Sequence, residues 1–314
     1  MSLAQRCYVA LQYLLPHHLL SWLVYHATRW TWRPWKQLLI RLAVRVFRID
    51  LSQADPPDTT CYRSFNEFFT RPLKPGARPM AEDPDCILCP ADGVISQIGA
   101  IDGDQILQAK GHHFTLAQLL ADDAVSAEFA GGSYATVYLS PRDYHRVHMP
   151  LSGELRQTTY VPGRLYSVAP VTVDAIPGLF ARNERFVSRF DSPAGPMAVI
   201  LVGAVMVSSM DCVWCGTVRP GRKVRRQQES GVTLDRGEEM GRFNMGSTVI
   251  LLFGPDAVSW DEALQSGTAV RMGQTLGRRL VDSPDRTREA PAGPTPESEA
   301  NGDAPGPAEG EASS

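Results

Sequence analysis

The sequence predicts an α+β protein that is mainly β. A sandwich- or barrel-like β core follows amphipathic N-terminal helices and precedes a disordered acidic tail. From residue 86 to residue 253, short segments rich in Val, Ile, Thr, Tyr and Leu recur between Gly, Pro and Asp residues, which is typical of sandwiches and barrels. Residues 3–49 combine apolar and basic residues in helical patterns. Residues 283–314 contain almost no large apolar side chain, so we predict that they are disordered.

The bulk composition fits one large or two small globular domains. The chain has 314 residues, 43% of them hydrophobic, and a formal net charge of −3, which allows a sizeable core. This near-neutral charge argues against a dedicated nucleic-acid-binding protein, so no nucleic acid is expected as a partner. The charge is uneven, because residues 1–49 contain no Asp or Glu whereas the tail is acidic.

The six cysteines are too sparse for a disulfide framework in a chain of this length. Cys86–Cys89 and Cys212–Cys215 have the spacing of a four-thiolate zinc site. Apolar or aromatic residues separate the two members of each pair, and in a strand positions i and i+3 face opposite sides. We therefore predict reduced thiols, and whether these pairs bind anything is left open.

Residues 1–49 are predicted to form a membrane-associating helical segment. Their tryptophans, tyrosines and apolar residues are interleaved with arginines. No uninterrupted apolar run reaches the roughly 18 to 20 residues that a membrane-spanning helix needs. The pattern is typical of helices that lie in the headgroup region of an anionic leaflet. The alternative is a helical pair that packs on its own core or on a partner protomer.

Residues 50–282 are predicted to form the β-rich domain. After a polar connection, a short helix begins near Ser64 and ends before Pro72, and its Phe65, Phe68 and Phe69 form one apolar face. Thr115–Leu120 predicts another short helix, and Pro170–Arg185 predicts a loop. The predicted strands are Cys86–Cys89, Val94–Ile98, Ala135–Leu139, Glu154–Val161, Ala198–Met206, Val213–Val218 and Val249–Phe253.

Gly246-Ser247-Thr248 lies where a loop meets the last of these strands. Glycine leaves its carbonyl open to approach, so the hydroxyl of Ser247 is placed to attack the carbonyl carbon of Gly246 if a base assists. That geometry suits an N→O acyl shift. Taken alone, the triplet favours a turn glycine and a capping hydroxyl at a strand start, so the rest of the chain must supply the base.

Two further patterns carry titratable side chains. Asp92 lies in the turn Pro90–Gly93, and His145 and His148 lie with two arginines in Tyr144–Pro150. Asp92, His148 and Ser247 together supply the carboxylate, imidazole and hydroxyl of an activated nucleophile. In this interpretation Asp92 orients His148, and His148 accepts the proton of Ser247.

These motifs resemble the three signatures of the phosphatidylserine decarboxylase proenzymes, in the same order. Ser64–Pro75 and Phe180–Arg185 are similar to two further stretches of that family, and the resemblance covers roughly residues 5–255. One departure is Met245, where the family most often has leucine. The two side chains are close in volume, so we expect little consequence.

The resemblance implies self-cleavage between Gly246 and Ser247 into a β chain, residues 1–246, and an α chain, residues 247–314. It implies that Ser247 becomes an N-terminal pyruvoyl group, the cofactor, and that no metal is required. Phosphatidylserine would then be decarboxylated to phosphatidylethanolamine and CO2 through a Schiff base with that group.

The resemblance also implies where each partner binds. His145 is the candidate proton donor or substrate contact, with His148 as the competing proton donor. The headgroup arginine is left open among Arg142, Arg146 and Arg182. The substrate lies in an anionic membrane, so the expected location is peripheral, on the cytoplasmic side of the cell membrane. A homo-oligomer of the cleaved αβ unit is expected.

Two alternatives remain open at this stage. The first is a zinc-dependent hydrolase with Asp92, His112, His113, His145 and His148 as ligands. The second is a non-catalytic membrane-bound β-domain, in which the histidines have no chemical role. The first predicts a bound metal and an uncut chain, and the second predicts that loss of the Ser247 hydroxyl has no effect.

Overall fold

The computed structural model describes residues 1–205 and 209–280, and the predicted tail 283–314 lies outside them. The helices are α1 (Leu3–Leu14), α2 (His17–Arg29), α3 (Arg33–Phe47), α4 (Phe65–Phe69), α5 (Leu116–Leu120), α6 (Asp123–Ala127), α7 (Pro170–Val173) and α8 (Leu179–Arg182). The strands are β1 (Cys86–Leu88), β2 (Gly93–Ala100), β3 (Gln105–Ala109), β4 (His112–Thr115), β5 (Ser133–Leu139), β6 (Arg146–His148), β7 (Gly153–Val161), β8 (Arg185–Ser192), β9 (Gly195–Val202), β10 (Met210–Cys212), β11 (Gly216–Thr217), β12 (Arg225–Gln228), β13 (Thr233–Leu234), β14 (Glu239–Phe243), β15 (Ser247–Phe253), β16 (Val258–Trp260), β17 (Ala269–Val270) and β18 (Thr275–Arg279).

The largest sheet among the described residues has nine antiparallel strands. Their order is β12-β7-β8-β9-β15-β5-β2-β17, with β13 also paired to β7. The central strand β15 is buried along its whole length. Its Val249 and Leu251 pack in one hydrophobic cluster, and its Ile250 and Leu252 pack in another. Both faces of the strand are therefore covered, which explains its continuous apolar sequence.

Smaller elements cover the two faces of this sheet. The sheets β11-β10-β14-β6 and β1-β18-β16 contribute to the first cluster. The hairpin β3–β4 and the short helices α5–α8 contribute to the second. The prediction of a mainly β, sandwich-like core that follows N-terminal helices is confirmed.

The N-terminal helices pack on the β core. Ile40 and Ala43 of α3 share a buried cluster with Phe68 of α4, and the side-chain carbonyl of Gln12 accepts a hydrogen bond from Ser167 N at 3.0 Å. The described residues therefore form one compact unit. The predicted cap of α4 is confirmed, because the side chain of Ser64 accepts a hydrogen bond from Glu67 N.

The outer surface of α1–α3 is unusually apolar. The large apolar side chains exposed there are Leu3, Tyr8, Leu11, Tyr13, Leu14, Leu19, Trp22, Leu23, Trp30, Trp32, Leu38, Leu42, Val46 and Phe47. From residue 48 onward, the described part of the chain exposes only Met80, Val213, Val224 and Leu280 in this way. Within the described ranges, none of the helices has both the length and the apolar character needed to cross a membrane.

Two predicted elements were wrong. The predicted loop Pro170–Arg185 contains α7 and α8, because Pro170 begins the first of these helices and Gly178 adopts the left-handed conformation before the second. The predicted strand Val213–Val218 is interrupted by a turn at residues 213–215, which leaves only the short strand β11. Gly216, with φ of 67°, ends that turn.

Candidate active site

Two connections between sheets run side by side and bring most of the predicted site residues together. Residues 140–145 lead from β5 of the large sheet into β6, and residues 244–246 lead from β14 back into β15. Because β5 pairs with β15 and β6 pairs with β14, both connections leave the sheets at the same place. The amide of Phe243 donates to the carbonyl of His145 at 3.0 Å, which ties them together.

Ser247 begins β15 and is fully buried, with 0% of its surface exposed. Its Oγ has no hydrogen-bond partner among the described residues. A buried hydroxyl without a partner costs free energy, so this position holds a polar group that packing does not require. Met245, two residues earlier, has φ of 117°, a conformation that costs non-glycine residues of order 1–3 kcal/mol.

His145 lies beside the Gly246–Ser247 bond. A Cβ placed on Gly246 would be 3.9 Å from His145 Nε2. The imidazole is fully buried and packs on Phe69, with ring centroids 4.2 Å apart. Nδ1 is 2.8 Å from the carbonyl of Asp143, and Nε2 has no partner among the described residues. Nδ1 is therefore assigned the proton, which leaves the lone pair of Nε2 free.

Burial lowers the pKa of His145 to about 3. The hydrogen bond to Asp143 opposes this shift, and the positive charge of Arg71 adds to it. The imidazole is therefore neutral at physiological pH, and its Nε2 is an acceptor of low basicity.

His148 has both ring nitrogens engaged. Nδ1 is 2.8 Å from the carbonyl of Gly237, and Nε2 is 3.0 Å from the hydroxyl of Tyr144. Because burial raises the pKa of Tyr144 to about 12, the hydroxyl keeps its proton and donates it to Nε2. Burial also lowers the pKa of His148, but the nearby carboxylates of Glu239 and Asp92 act in the opposite direction.

Asp92 is engaged by an arginine. Its carboxylate accepts from Arg78 Nε at 2.8 Å and from the amide of Met272 at 3.0 Å, and Arg78 Nη2 completes a buried ion pair. Asp92 therefore has no hydrogen bond to His148 among the described residues. It acts on that imidazole only through its charge.

The predicted relay, in which Asp92 orients His148 and His148 contacts Ser247, is thus not formed as a chain of hydrogen bonds among the described residues. Asp92, His148 and Ser247 lie around the two connections, but in the described residues no hydrogen bond joins them, because Arg78, Gly237 and Tyr144 occupy the polar atoms of Asp92 and His148. The imidazole beside Gly246 is that of His145.

Sequence reasoning missed Arg71 and Arg78. Both line a cavity of about 300 Å³ next to Asp92 and Tyr144. A partial signal for Arg71 was present in the sequence, because an arginine between an apolar helix and Pro72 places a charge where a docking helix is buried. Nothing local indicates that Arg78 pairs with Asp92.

Of the three arginines left open for the headgroup, only Arg142 lines this cavity, and its side chain is largely exposed. Arg146 pairs with Glu239 and donates to the carbonyl of Thr70. Arg182 donates to the hydroxyl of Tyr166. Neither of the last two lines the cavity.

The structure gives the zinc-hydrolase alternative no support. Among the residues that it describes, no group of three or more His, Cys, Asp and Glu side chains is arranged to hold a metal ion. His112 and His113 lie on β4, where Nδ1 of the exposed His113 is 3.1 Å from the carbonyl of Gly111. Cys86, Cys89 and Cys212 are buried free thiols, and Cys215 is an exposed one.

Comparison with known families gives two matches. A family model described as phosphatidylserine decarboxylase matches residues 65–278, which include α4, both connections and β15. A second model, described as PSD, matches residues 7–48, which cover most of α1–α3.

Similar proteins match over nearly their whole length. A phosphatidylserine decarboxylase proenzyme of Pseudomonas aeruginosa (strain LESB58) is 52% identical over 285 residues, which cover 88% of this chain and 98% of the relative. The proenzyme of the same name from Ectopseudomonas mendocina (strain ymp) is 52% identical over 280 residues, with coverages of 87% and 98%. The one from Pseudomonas putida (strain GB-1) is 51% identical over 278 residues, with coverages of 86% and 97%.

Proposed function

The chain belongs to the phosphatidylserine decarboxylase family, and on that premise we propose that it cuts itself before Ser247 and then converts phosphatidylserine to phosphatidylethanolamine and CO2. Membership makes it an enzyme of the decarboxylase class. One observation carries the proposal of self-cleavage. The buried Oγ of Ser247 and Nε2 of His145, beside Gly246, both lack a hydrogen-bond partner among the residues that the structure describes.

The proposed cleavage uses groups of the chain itself and one water molecule. Ser247 Oγ loses its proton to a base and bonds to the carbonyl carbon of Gly246, and the Gly246–Ser247 C–N bond then breaks to give an ester. Removal of the Cα proton of Ser247 breaks the Cβ–Oγ bond and releases residues 1–246 with a terminal carboxylate. Water then hydrolyses the dehydroalanine that remains at residue 247. Its nitrogen leaves as ammonia, and a ketone remains at that residue.

Two histidines are candidates for the base, and their positions and basicities favour different ones. Position favours His145, whose Nε2 lies beside Gly246. Basicity favours His148, because a base with a pKa of about 3 takes a serine proton poorly, whereas Glu239 and Asp92 support a positive charge on His148. We propose that His148, assisted by the charge of Asp92, is the base. For this role Nε2 of His148 must exchange the Tyr144 hydroxyl for that of Ser247.

The residues around position 247 fit a pyruvoyl group. Ser247 supplies its carbon skeleton and water supplies the ketone oxygen. Ser247 pairs with Leu139 of β5, and the next residue, Thr248, pairs with Val202 of β9. Once formed, such a group supplies a carbonyl that accepts electrons as the carboxylate of the substrate leaves. His145 Nε2 lies beside this position and carries no proton in the uncut chain. We propose that it takes the proton that the substrate ammonium loses when the amine becomes neutral, and that it then returns this proton to the substrate α-carbon after CO2 has left.

The two products of cleavage are expected to stay associated. β15, β17 and β18 follow the cut, and they pair with β5, β9, β2 and β1, which precede it. The cut thus breaks one peptide bond and leaves these strand pairings in place. An intact-mass measurement of freshly purified protein tests the proposal directly, together with CO2 release from phosphatidylserine. A single uncut chain without activity would reject it.

The backbone strain at Met245 predicts an effect on cleavage. Backbone strain beside the reacting bond raises the free energy of the uncut chain and so lowers the barrier to cleavage. Glycine adopts φ of 117° without the penalty that Met245 bears, so Met245→Gly should slow self-cleavage by on the order of 10-fold. Met245→Leu keeps the strain and the side-chain volume, so it is the matched control. Time-resolved gels of newly synthesised chain measure both rates. Equal rates for the two variants would show that the strain does not assist cleavage.

We further propose that α1–α3 hold the protein peripherally on the membrane that contains its substrate. These helices expose apolar side chains, and residues 1–49 contain no acidic side chain. Both properties suit the headgroup region of an anionic leaflet. The cytoplasmic side of the cell membrane and a pairing of protomers stay predictions.

Replacing tryptophans of this surface should measurably weaken membrane binding. Trp30 and Trp32 are adjacent and about half exposed, at 55% and 56%. Replacing both by alanine should weaken sedimentation with vesicles of phosphatidylserine and phosphatidylcholine by at least about 10-fold, since each indole contributes roughly 1.5–3 kcal/mol when buried. Val224→Ala, at an exposed apolar position outside the helices, is the control. Unchanged vesicle binding of the double variant would contradict this surface.

A further inference from the structure

Arg71 is a buried cation that forms no salt bridge with any residue that the structure describes. Only 4% of its surface is exposed, and its Nε and Nη1 have no hydrogen-bond partner among the described residues. A guanidinium removed from water in this way is costly unless a charge pairs with it. Its nearest ring contact is Phe68, whose centroid lies 5.4 Å from Cζ. The carboxylates of Asp92 and Asp50 act on this charge from beyond ion-pair distance, so Nε and Nη1 remain available, in the described structure, for a further negative group.

The site is a cavity with an excess of positive charge. Arg48, Arg71, Arg78, Arg142 and Arg271 line it, together with the carboxylates of Asp50, Asp92 and Asp143. Asp92 pairs with Arg78, and Asp143 accepts from the amide and hydroxyl of Ser140. Asp50 accepts from Ser52. In the described part of the chain, Arg48, Arg71 and Arg271 have no salt bridge.

The cavity adjoins both the catalytic position and the membrane-facing helices. Arg71 follows α4, whose Asn66 donates to the side chain of Asn244 at 2.9 Å and whose Phe69 packs on His145. The other side of the cavity is formed by Arg48, the residue that ends α3. A lipid headgroup that enters along α3 would therefore meet Arg71 before its amine reaches residue 247.

We propose that Arg71 binds the phosphodiester of phosphatidylserine and thereby positions the headgroup for decarboxylation, an inference that rests on the proposed function. The headgroup carries two anions, the phosphodiester and the carboxylate. An arginine held on the carboxylate would stabilise the charge that must leave, and so would favour the ground state over the transition state. The phosphodiester keeps its charge throughout the reaction, and the planar guanidinium fork matches two of its oxygens.

The test compares Arg71→Met and Arg71→Lys with the unmodified full-length chain in detergent micelles that contain phosphatidylserine. Both variants should still be cut before Ser247. Arg71→Met should lower kcat/KM by on the order of 10- to 100-fold, mainly through KM, as loss of hydrogen bonds to a charged group predicts. Arg71→Lys should recover part of this loss. Arg278→Met is the control, because Arg278 is exposed, pairs with Asp83 and does not line the cavity.

A second readout separates binding from a structural role. Because Arg71→Met removes a buried charge without a partner, its melting temperature should equal or exceed that of the unmodified chain. A variant that loses affinity without losing stability has lost a ligand contact. An unchanged KM, or a KM that rises only together with a lower melting temperature, would overturn the proposal.

Inorganic phosphate distinguishes a headgroup site from a free-phosphate site. If Arg71 binds the headgroup, phosphate should inhibit the unmodified chain competitively with phosphatidylserine and should inhibit Arg71→Met much less. Phosphate that stabilises the unmodified chain without competing would assign the cavity to free phosphate and reject the headgroup role. Failure of the unmodified chain to be cut or to release CO2 would instead reject the proposed function itself, so the two failures are distinguishable.

Discussion

The Ser247→Ala variant should accumulate as one uncut 34.5 kDa chain that releases no CO2 from phosphatidylserine. Without Oγ there is no nucleophile to attack the Gly246 carbonyl, and without cleavage no ketone forms at residue 247. The unmodified chain should give residues 1–246 and residues 247–314 on a denaturing gel. Its smaller product should react with a carbonyl reagent and should lack a free N-terminal amine.

This loss should not arise from misfolding. Ser247 Oγ is buried and has no partner among the described residues, so its removal leaves no other described polar group unpaired and should leave the free energy of unfolding unchanged or slightly higher. Thr248 provides a matched control, because its Oγ1 is also buried without a partner in the described ranges. Thr248→Val should be cut and active. Cleavage of the Ser247→Ala variant at the same bond would show that the serine hydroxyl is not the nucleophile.

Sequence patterns predict the elements that local chemistry determines. Ser64 and Thr115 accept hydrogen bonds from the third residue of the helices that follow them, as capping residues do. The apolar run that begins at Val249 predicts a buried strand, and β15 is the central strand of the large sheet. In each case the determining interactions lie within a few residues of one another.

The site depends on contacts that no local pattern encodes. His145 lies beside Gly246 because two connections, about one hundred residues apart in sequence, cross between sheets at the same place. The ion pair of Asp92 with Arg78 and the burial of Arg71 arise in the same way, from how α4 and the segment after it pack on the core. A sequence motif names the chemical groups of a site, whereas the packing decides which of their polar atoms are free.

The proposed chemistry gives a use to three buried polar atoms that lack partners in the described structure. Arg71 Nε, His145 Nε2 and Ser247 Oγ are three of the thirteen buried side-chain polar atoms that lack hydrogen-bond partners in the described structure. Each can be assigned one proposed task, at the phosphodiester, at the α-carbon and at the scissile carbonyl respectively. Their cost in stability is consistent with selection for function at these positions.

Replacing each histidine of the site by asparagine should separate the two reactions. His148→Asn should remain uncut or be cut at least about 100-fold more slowly, as expected for loss of a general base. His145→Asn should be cut, but its decarboxylation should fall by roughly 10²–10⁴-fold, because the group that handles the proton at the α-carbon is missing. Gels with intact mass measure the first reaction, and CO2 release from phosphatidylserine measures the second.

Asparagine is the informative replacement at both positions because of the hydrogen bonds that the structure assigns. Each histidine uses Nδ1 to donate to a backbone carbonyl, that of Asp143 or of Gly237, and the amide of asparagine retains such a donor while Nε2 is lost. His113→Asn is the matched control, since Nδ1 of the exposed His113 contacts the carbonyl of Gly111 in the same manner, and it should be cut and active. If His145→Asn stays uncut while His148→Asn is cut normally, position outweighs basicity and His145 is the base. If both variants are cut and fully active, neither imidazole takes part, and the proposed chemistry at residue 247 fails.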